Sequence, residues 1–367
     1  MALDGRVEAW ARLALLQLPS PAVAALLRTF GSAERVFSAS RAQLSATTSP
    51  AMATRIRTPV ENALLDGTRD WLSGDDHELI AWDDSDYPQA LLTMPDAPPA
   101  LFFIGRRELL NRPALAIVGS RHATAQGIEN ARAFARVLSR AGLTIVSGLA
   151  LGVDAAAHEG AIDGDGSTIA CIGTGPDRVY PASNRNLAHT IASTGAIVSE
   201  FVPGTPPLRQ NFPRRNRLIS GLARGVLVVE ATLSSGSLIT ARLAGEQGRD
   251  VFAIPGSIHS PFSRGCHKLI REGAKLVETA QDILDELRLP GVAATIMPTA
   301  RDVRREAESL ASPHRAIVAA LGGDPCDLDT LVARTRVAPD ALTAALVELE
   351  LDGLVAALPG GRWQRVN

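Results

Sequence analysis

The sequence predicts an α/β protein built on a doubly wound parallel sheet, with a small helical domain before it and a compact three-helix unit after it. Three observations predict this. Between residues 101 and 277 short aliphatic or β-branched runs alternate with amphipathic stretches, the pattern of a sheet covered by helices on both faces. The segment before it keeps helical spacing, and residues 312–367 change to three short helical patterns and two strand-like runs.

The composition agrees with a folded, modular chain. Of 367 residues 46% are hydrophobic and 21% charged, with 37 basic against 39 acidic side chains. That balance excludes disordered and fibrous classes, and at about 150 residues per domain the length implies two to three domains. No uncharged apolar run approaches the ~18–20 residues of a membrane span. The first twenty residues carry Asp4, Arg6, Glu8 and Arg12 where a secretory signal needs an apolar stretch, so the expected location is the cytoplasm, with no membrane partner. Cys171, Cys266 and Cys326 are isolated and odd in number, which predicts reduced thiols, no disulfide and no structural metal. Of the basic residues only Lys268 and Lys275 are lysines, so arginine must hold any anion this chain meets. A formal charge of −2 excludes a protein that coats nucleic acid everywhere; such a partner must meet a local patch.

Helical spacing through Trp10, Leu13, Ala14 and Leu16, with breaks around Pro19 and Gly31, and a second stretch over 51–72 make residues 1–75 a helical domain. Residues 76–110 form a connecting segment, rich in proline and acid over 87–99, that ends in a first short strand at 101–105. Residues 111–288 form the sheet domain. Its strands are expected at 115–118, 143–147, 168–172, 196–200, 226–230, 251–254 and 275–277, with helices at 124–141, 152–162, 184–193, 237–247 and 264–272 between them. Residues 289–311 mix Pro, Gly, Thr and alternating charge and read as a linker. Helix, helix, helix and hairpin over residues 312–367 outline a winged helix. Its third helix, 339–352, has no arginine, which favours a protein-contact role over reading duplex DNA.

In a doubly wound fold ligands sit beyond the carboxyl ends of the strands, so the loops leaving them carry the functional information. After the first core strand come Gly119, Ser120 and Arg121, where a close-approaching backbone and two donors suit a phosphate at a helix N-terminus. It is neither a dinucleotide fingerprint nor a P-loop. Gly148 follows the second strand, with Asp154 and His158 one helical turn apart, either a pair or a capping Asp and a packed His. The third strand ends at Gly173 and Gly175, with Tyr180, Pro181 and Asn184 beyond. Between Glu200 and Glu230 there is no acidic residue but there are five arginines, Arg209, Arg214, Arg215, Arg217 and Arg224. Phe212 beside Arg214, Arg215, Asn216 and Arg217 offers forked donors for phosphates and a face for base stacking. Ser235, Gly236 and Ser237 form a last small polar loop ahead of a helix.

Together these motifs resemble the DprA/Smf family of DNA-processing proteins. The resemblance runs from Tyr87-Pro88 to about Leu287, through Gly119-Ser120-Arg121, Ser147-Gly148 with Asp154 and His158, Gly173-Thr174-Gly175, Phe212 to Arg217, Ser235-Gly236-Ser237 and Pro255-Gly256. It implies a Rossmann-like domain that binds single-stranded DNA, often as a homodimer, and helps load the recombinase RecA during natural transformation (competence). It also implies that the N-terminal domain is of the SAM or helix-hairpin-helix kind and that the C-terminal one is a winged helix. Carried over by position, Gly119, Ser120 and Arg121 fall on the family's DNA pocket and Arg214, Arg215 and Arg217 on its basic rim. No cofactor, metal or catalytic residue is implied. His267 stands where many members have Asn. Two other readings compete: a nucleotide hydrolase on a related sheet, whose P-G-G signature and catalytic glutamate are missing here, and a protein-docking adaptor that holds DNA weakly.

Overall fold

A computed structural model describes residues 4–288, 312–322 and 325–366. The stretch expected to be a linker, 289–311, lies outside the described residues.

Six helices open the chain: α1 (Gly5–Leu16), α2 (Ser20–Phe30), α3 (Ala33–Ser38), α4 (Arg41–Thr47), α5 (Pro50–Arg57) and α6 (Asn62–Leu72). Most begin with a capping side chain; Ser40 and Gln43 close a reciprocal capping box on α4. The sheet strands are β1 (His77–Ala81), β2 (Ala100–Gly105), β3 (Ala114–Val118), β4 (Thr144–Ser147), β5 (Thr168–Cys171), β6 (Ala196–Ser199), β7 (Gly225–Val228), β8 (Asp250–Ala253) and β9 (Lys275–Leu276). Their spatial order is β1-β2-β6-β5-β4-β3-β7-β8-β9. The helices among them are α7 (Ala125–Arg140), α8 (Val153–Ala161), α9 (Arg185–Thr194), α10 (Asn211–Leu222), α11 (Ser237–Glu246), α12 (Arg264–Arg271) and α13 (Ala280–Leu287).

From β6 to β9 every pairing is parallel, as the alternating pattern requires. The other edge departs from the expectation of a purely parallel sheet. β1 was not foreseen, and β1 with β2 and β2 with β6 pair antiparallel, because no crossover helix separates β1 from β2. Alternation along β2 sends Leu101 and Phe103 into the main core and Ala100 and Phe102 into the core that Trp10, Leu26 and Leu44 bring from the N-terminal helices. The helical module therefore shares a core with the sheet edge. The other sheet face buries Leu115, Ile117, Ile145 and Leu227 against Phe134 and Leu138 of α7 and Val153 of α8.

Strands β3 to β6 step in one direction and β7 restarts on the other side of β3, so the order reverses between β3 and β7. A crevice opens beyond the strand ends at such a reversal.

The C-terminal unit has α14 (Ser312–Leu321), β10 (Cys326–Asp327), α15 (Leu328–Thr335), α16 (Pro339–Leu351), β11 (Val355–Leu358) and β12 (Arg362–Arg365). The expected two-stranded ribbon gains a third short strand, β10, in the order β10-β12-β11. Asp327 ends that strand and caps α15, its carboxylate accepting from Thr330 N at 2.7 Å. Leu342, Leu346 and Leu349 of α16 fill the core. The three cysteines are free and buried.

Candidate nucleic-acid interface

A cleft of about 770 Å³ opens beyond the ends of β3 and β7. Gly119, Ser120 and Arg121 form one wall, Ser235, Gly236 and Ser237 the opposite one, and Phe212, Arg215 and Asn216 of α10 the floor. Helix α10 carries the basic segment and was not foreseen. Its periodicity decides what each arginine does.

Arg215 points inward and is 3% exposed. Its Nη1 donates to Cys171 O at 2.7 Å, and its buried Nε meets no acceptor. Burial pushes the guanidinium below its ordinary value, opposed by the charge of Asp154. Arg215 therefore belongs to the floor and not to the rim on which the sequence placed it. Arg217 is also drawn inward: it pairs with the buried Glu200 carboxylate and reaches Asp96 Oδ2 at 3.4 Å. Arg214 shares Glu200 at 3.2 Å but keeps a side chain 45% exposed, so one carboxylate serves two guanidiniums and positive charge remains at the surface. Burial pushes the Glu200 carboxyl up against the pull of both arginines.

Arg121 is exposed at the mouth, its Cζ 5.6 Å from the centre of the Phe212 ring. Tyr180 also meets the Phe212 ring, with ring centres 5.6 Å apart and planes tilted by 38°. Guanidinium, phenyl and phenol thus form a strip along the cleft. Tyr180 and Arg209, both lining the cleft, were named in the sequence motifs but given no contact of their own. The place of Tyr180 in the loop after the third strand, and of Arg209 in the acid-free run, could have assigned one.

The glycine turns act differently from the amide cradle that the sequence suggests. Gly148 N donates to Asp154 Oδ2 at 3.1 Å and Gly175 N to Thr205 O at 3.0 Å, so neither amide is left for a ligand. A side chain at Gly148 would overlap Arg215 Nη1 and sit 2.7 Å from Asp154 Oδ2. At Gly173 a Cβ would stand 3.0 Å from the Phe212 ring. Both glycines are there so that α10 can pack against the strand ends.

Asp154 and His158 do not pair. Burial pushes the Asp154 carboxyl up, against the pull of Arg215 and of the Ala150 and Gly148 amides. His158 is fully buried: Thr168 Oγ1 donates to Ile145 O, so it accepts from His158 Nδ1–H at 2.7 Å, and His158 Nε2 accepts from Leu149 N at 3.3 Å. The ring is a neutral structural bridge, and burial lowers its pKa to about 3.

The two helix N-termini at the cleft also differ. At α7 an internal carboxylate takes the anion position: Glu230 accepts from Thr124 N at 2.9 Å and from Thr124 Oγ1 at 2.6 Å. That carboxylate occupies the Thr124 amide and hydroxyl, two of the donors expected to meet a phosphate there. At α11 the first turn holds no acidic residue, and Ser235, Gly236 and Ser237 face the cleft, with Ser235 Oγ and Ser237 Oγ 2.7 Å apart. This terminus suits an anion.

Residues 78–288 match the model of the DNA recombination-mediator protein A family, more than half of the chain. The chain belongs to that family. Residues 301–361 match the DprA winged helix domain. Protein Smf of Escherichia coli K12 is 42% identical over 292 residues, covering 79% of this chain and 78% of that protein. DNA processing protein DprA of Streptococcus pneumoniae R6 is 51% identical over 203 residues, covering 55% and 72%. The X-ray structure of DprA from S. pneumoniae superposes with a TM-score of 0.68 at 38% identity, over 78% of this chain and 99% of that one. DprA of Helicobacter pylori, whose structure concerns its single-stranded DNA binding mode, gives a TM-score of 0.53 at 32% identity over 57% of this chain and 96% of that one. The Rossmann-like sheet and the winged helix are those of the DprA family. Among the described residues no helix is long and apolar enough to cross a membrane.

Proposed function

We propose that this chain binds single-stranded DNA in the cleft and passes it to the recombinase RecA, acting as a homodimer in the cytoplasm. The observation that carries the reading is the floor of the cleft, where the Arg215 guanidinium is buried with an acceptor wanting while Arg121 stands over Phe212 at the mouth. A poorly solvated cation just beneath the cleft surface raises the positive potential there, and a phosphate is the anion that such a potential draws in. Arg121 and Arg209 supply further donors, as do Ser120, Ser235, Ser237 and Asn216, and the half-exposed Arg214, outside the lining, adds positive charge to the surface; Phe212 and Tyr180 supply faces on which unpaired bases stack. The contacts are to backbone and base faces, so little sequence preference is expected.

A hydrolase is disfavoured by what the buried acids do. Asp154 accepts from Gly148 N, Glu200 is shared by Arg214 and Arg217, and Glu230 is held by Thr124. Each is committed to an internal partner; Asp154 alone of the three lines the cleft, and there its carboxylate is already held by the Gly148 amide, which argues against a general base.

The test is recombinase assembly on single strands already coated by single-strand-binding protein, followed with the parent chain and with Arg121→Glu. Faster assembly with the parent alone supports the reading. Equal rates with both, or with neither present, contradict delivery to the recombinase.

A further inference from the structure

A second depression, of about 430 Å³, lies directly beyond the cleft and shares Tyr180 and Pro207 with it as a common ridge. Arg178, Arg185 and His189 line its far side. Arg185 and His189 lie four residues apart on α9, so they present one exposed helical face. Arg178 is shared with Asp177 at 3.4 Å, and Asp177 is itself held by Gly204 N at 2.8 Å. Among the described residues no carboxylate lies within ion-pair distance of Arg185. The walls are tied in place: Thr174 Oγ1 donates to Arg178 O at 2.8 Å, and Gly175 N to Thr205 O at 3.0 Å.

We infer that this depression is a second phosphate subsite, in which Arg185, with Arg178, holds the nucleotides of a strand that leaves the cleft over Tyr180. The inference rests on the proposed reading of the cleft and extends it to the direction and length of the bound strand. Tyr180, 48% exposed on the ridge, is placed to stack the base at the crossing while the backbone drops to the arginines on either side. An unpaired polynucleotide is the ligand whose chemistry fits: anionic groups at regular intervals joined by a flexible chain with an aromatic face between them. The site therefore has two sections, and occupancy of the second depends on strand length.

The experiment measures anisotropy of labelled oligothymidylates of about 4 and about 12 nucleotides, spanning the range of single-strand site sizes. The parent chain is compared with the double variant Arg178→Ala/Arg185→Ala. Both residues are exposed, so the fold should persist, and circular dichroism verifies it. The inference predicts that the double variant binds the longer strand about three- to tenfold more weakly, its log–log salt slope shallower by about 1.4, with the short strand unaffected. Equal loss on both lengths, or none on the longer, overturns the second subsite while leaving the cleft in place. Failure of the parent chain to bind either strand overturns the reading of the cleft and this extension with it.

Discussion

The Arg121 guanidinium carbon lies 5.6 Å from the centre of the Phe212 ring, which joins the loop after β3 to the helix α10 that floors the cleft. The cation is exposed and the ring half-buried, so the pair offers a phosphate donor and a stacking face side by side.

Reversing the charge at Arg121 should remove most strand affinity. Arg121→Glu loses a charge-assisted contact and adds repulsion, an expected weakening of about 30-fold or more, whereas Arg121→Lys retains part of the affinity but not the fork. Anisotropy with a labelled oligonucleotide measures both, with thermal unfolding to show that an exposed substitution leaves the fold intact.

Truncating the ring should cost affinity without touching the electrostatics. Phe212→Leu removes stacking worth about 1–3 kcal/mol per base yet neutralises no fewer phosphates. Its binding curve shifts to higher concentration at every salt concentration, with the log–log slope unchanged. A flattened slope would mean that the ring acts through Arg121 instead.

Gly148→Ala should destabilise the domain. The new methyl meets Arg215 and Asp154 in a space without slack, and overpacking of this kind costs about 1–3 kcal/mol. Urea denaturation gives the shift in midpoint; an unchanged midpoint would show that α10 has room to move.

His158 should make the fold acid-sensitive. Burial lowers its pKa to about 3 from 6.5, so between these values the unfolded chain carries a proton that the folded chain does not. The neutral ring's contribution to stability is complete above pH 6.5 and is lost as pH falls toward 3. Asp154 and Glu230, with carboxyls raised by burial, act in the opposite sense above the usual carboxylate range, so the readout is the difference between parent and His158→Gln. Between about pH 6 and pH 4 the parent's unfolding free energy should fall more steeply than the variant's, by up to about 1.4 kcal/mol per pH unit.

The sheet and its functional edge were legible because parallel strands buried on both faces read as uninterrupted apolar runs, and because the loops that leave them are marked by Gly119, Gly148, Gly173 and Gly236. The winged helix was legible from the spacing of its apolar positions. The roles of the arginines were less so. Arg214, Arg215 and Arg217 look alike as a run, but on α10 they turn to different sides. Arg215 lies three residues before Leu218 and seven before Leu222, on the buried stripe. That spacing was readable once a helix was assumed, and Pro213 in its first turn is compatible with one. The Glu200 pair was out of reach because it links β6 to α10 through tertiary packing. β1 escaped because His77 and Glu78 begin it with polar side chains at the sheet edge.

The most direct measurement is the dependence of single-strand binding on salt for the parent chain. On a short strand of about four nucleotides, confined to the cleft by Arg121, Arg209 and Arg215, about three phosphates are neutralised and the log–log slope should lie at about −2, with little preference among sequences. A flat response, or affinity that follows base sequence and ignores salt, would contradict a cleft that grips an unpaired strand by its phosphates.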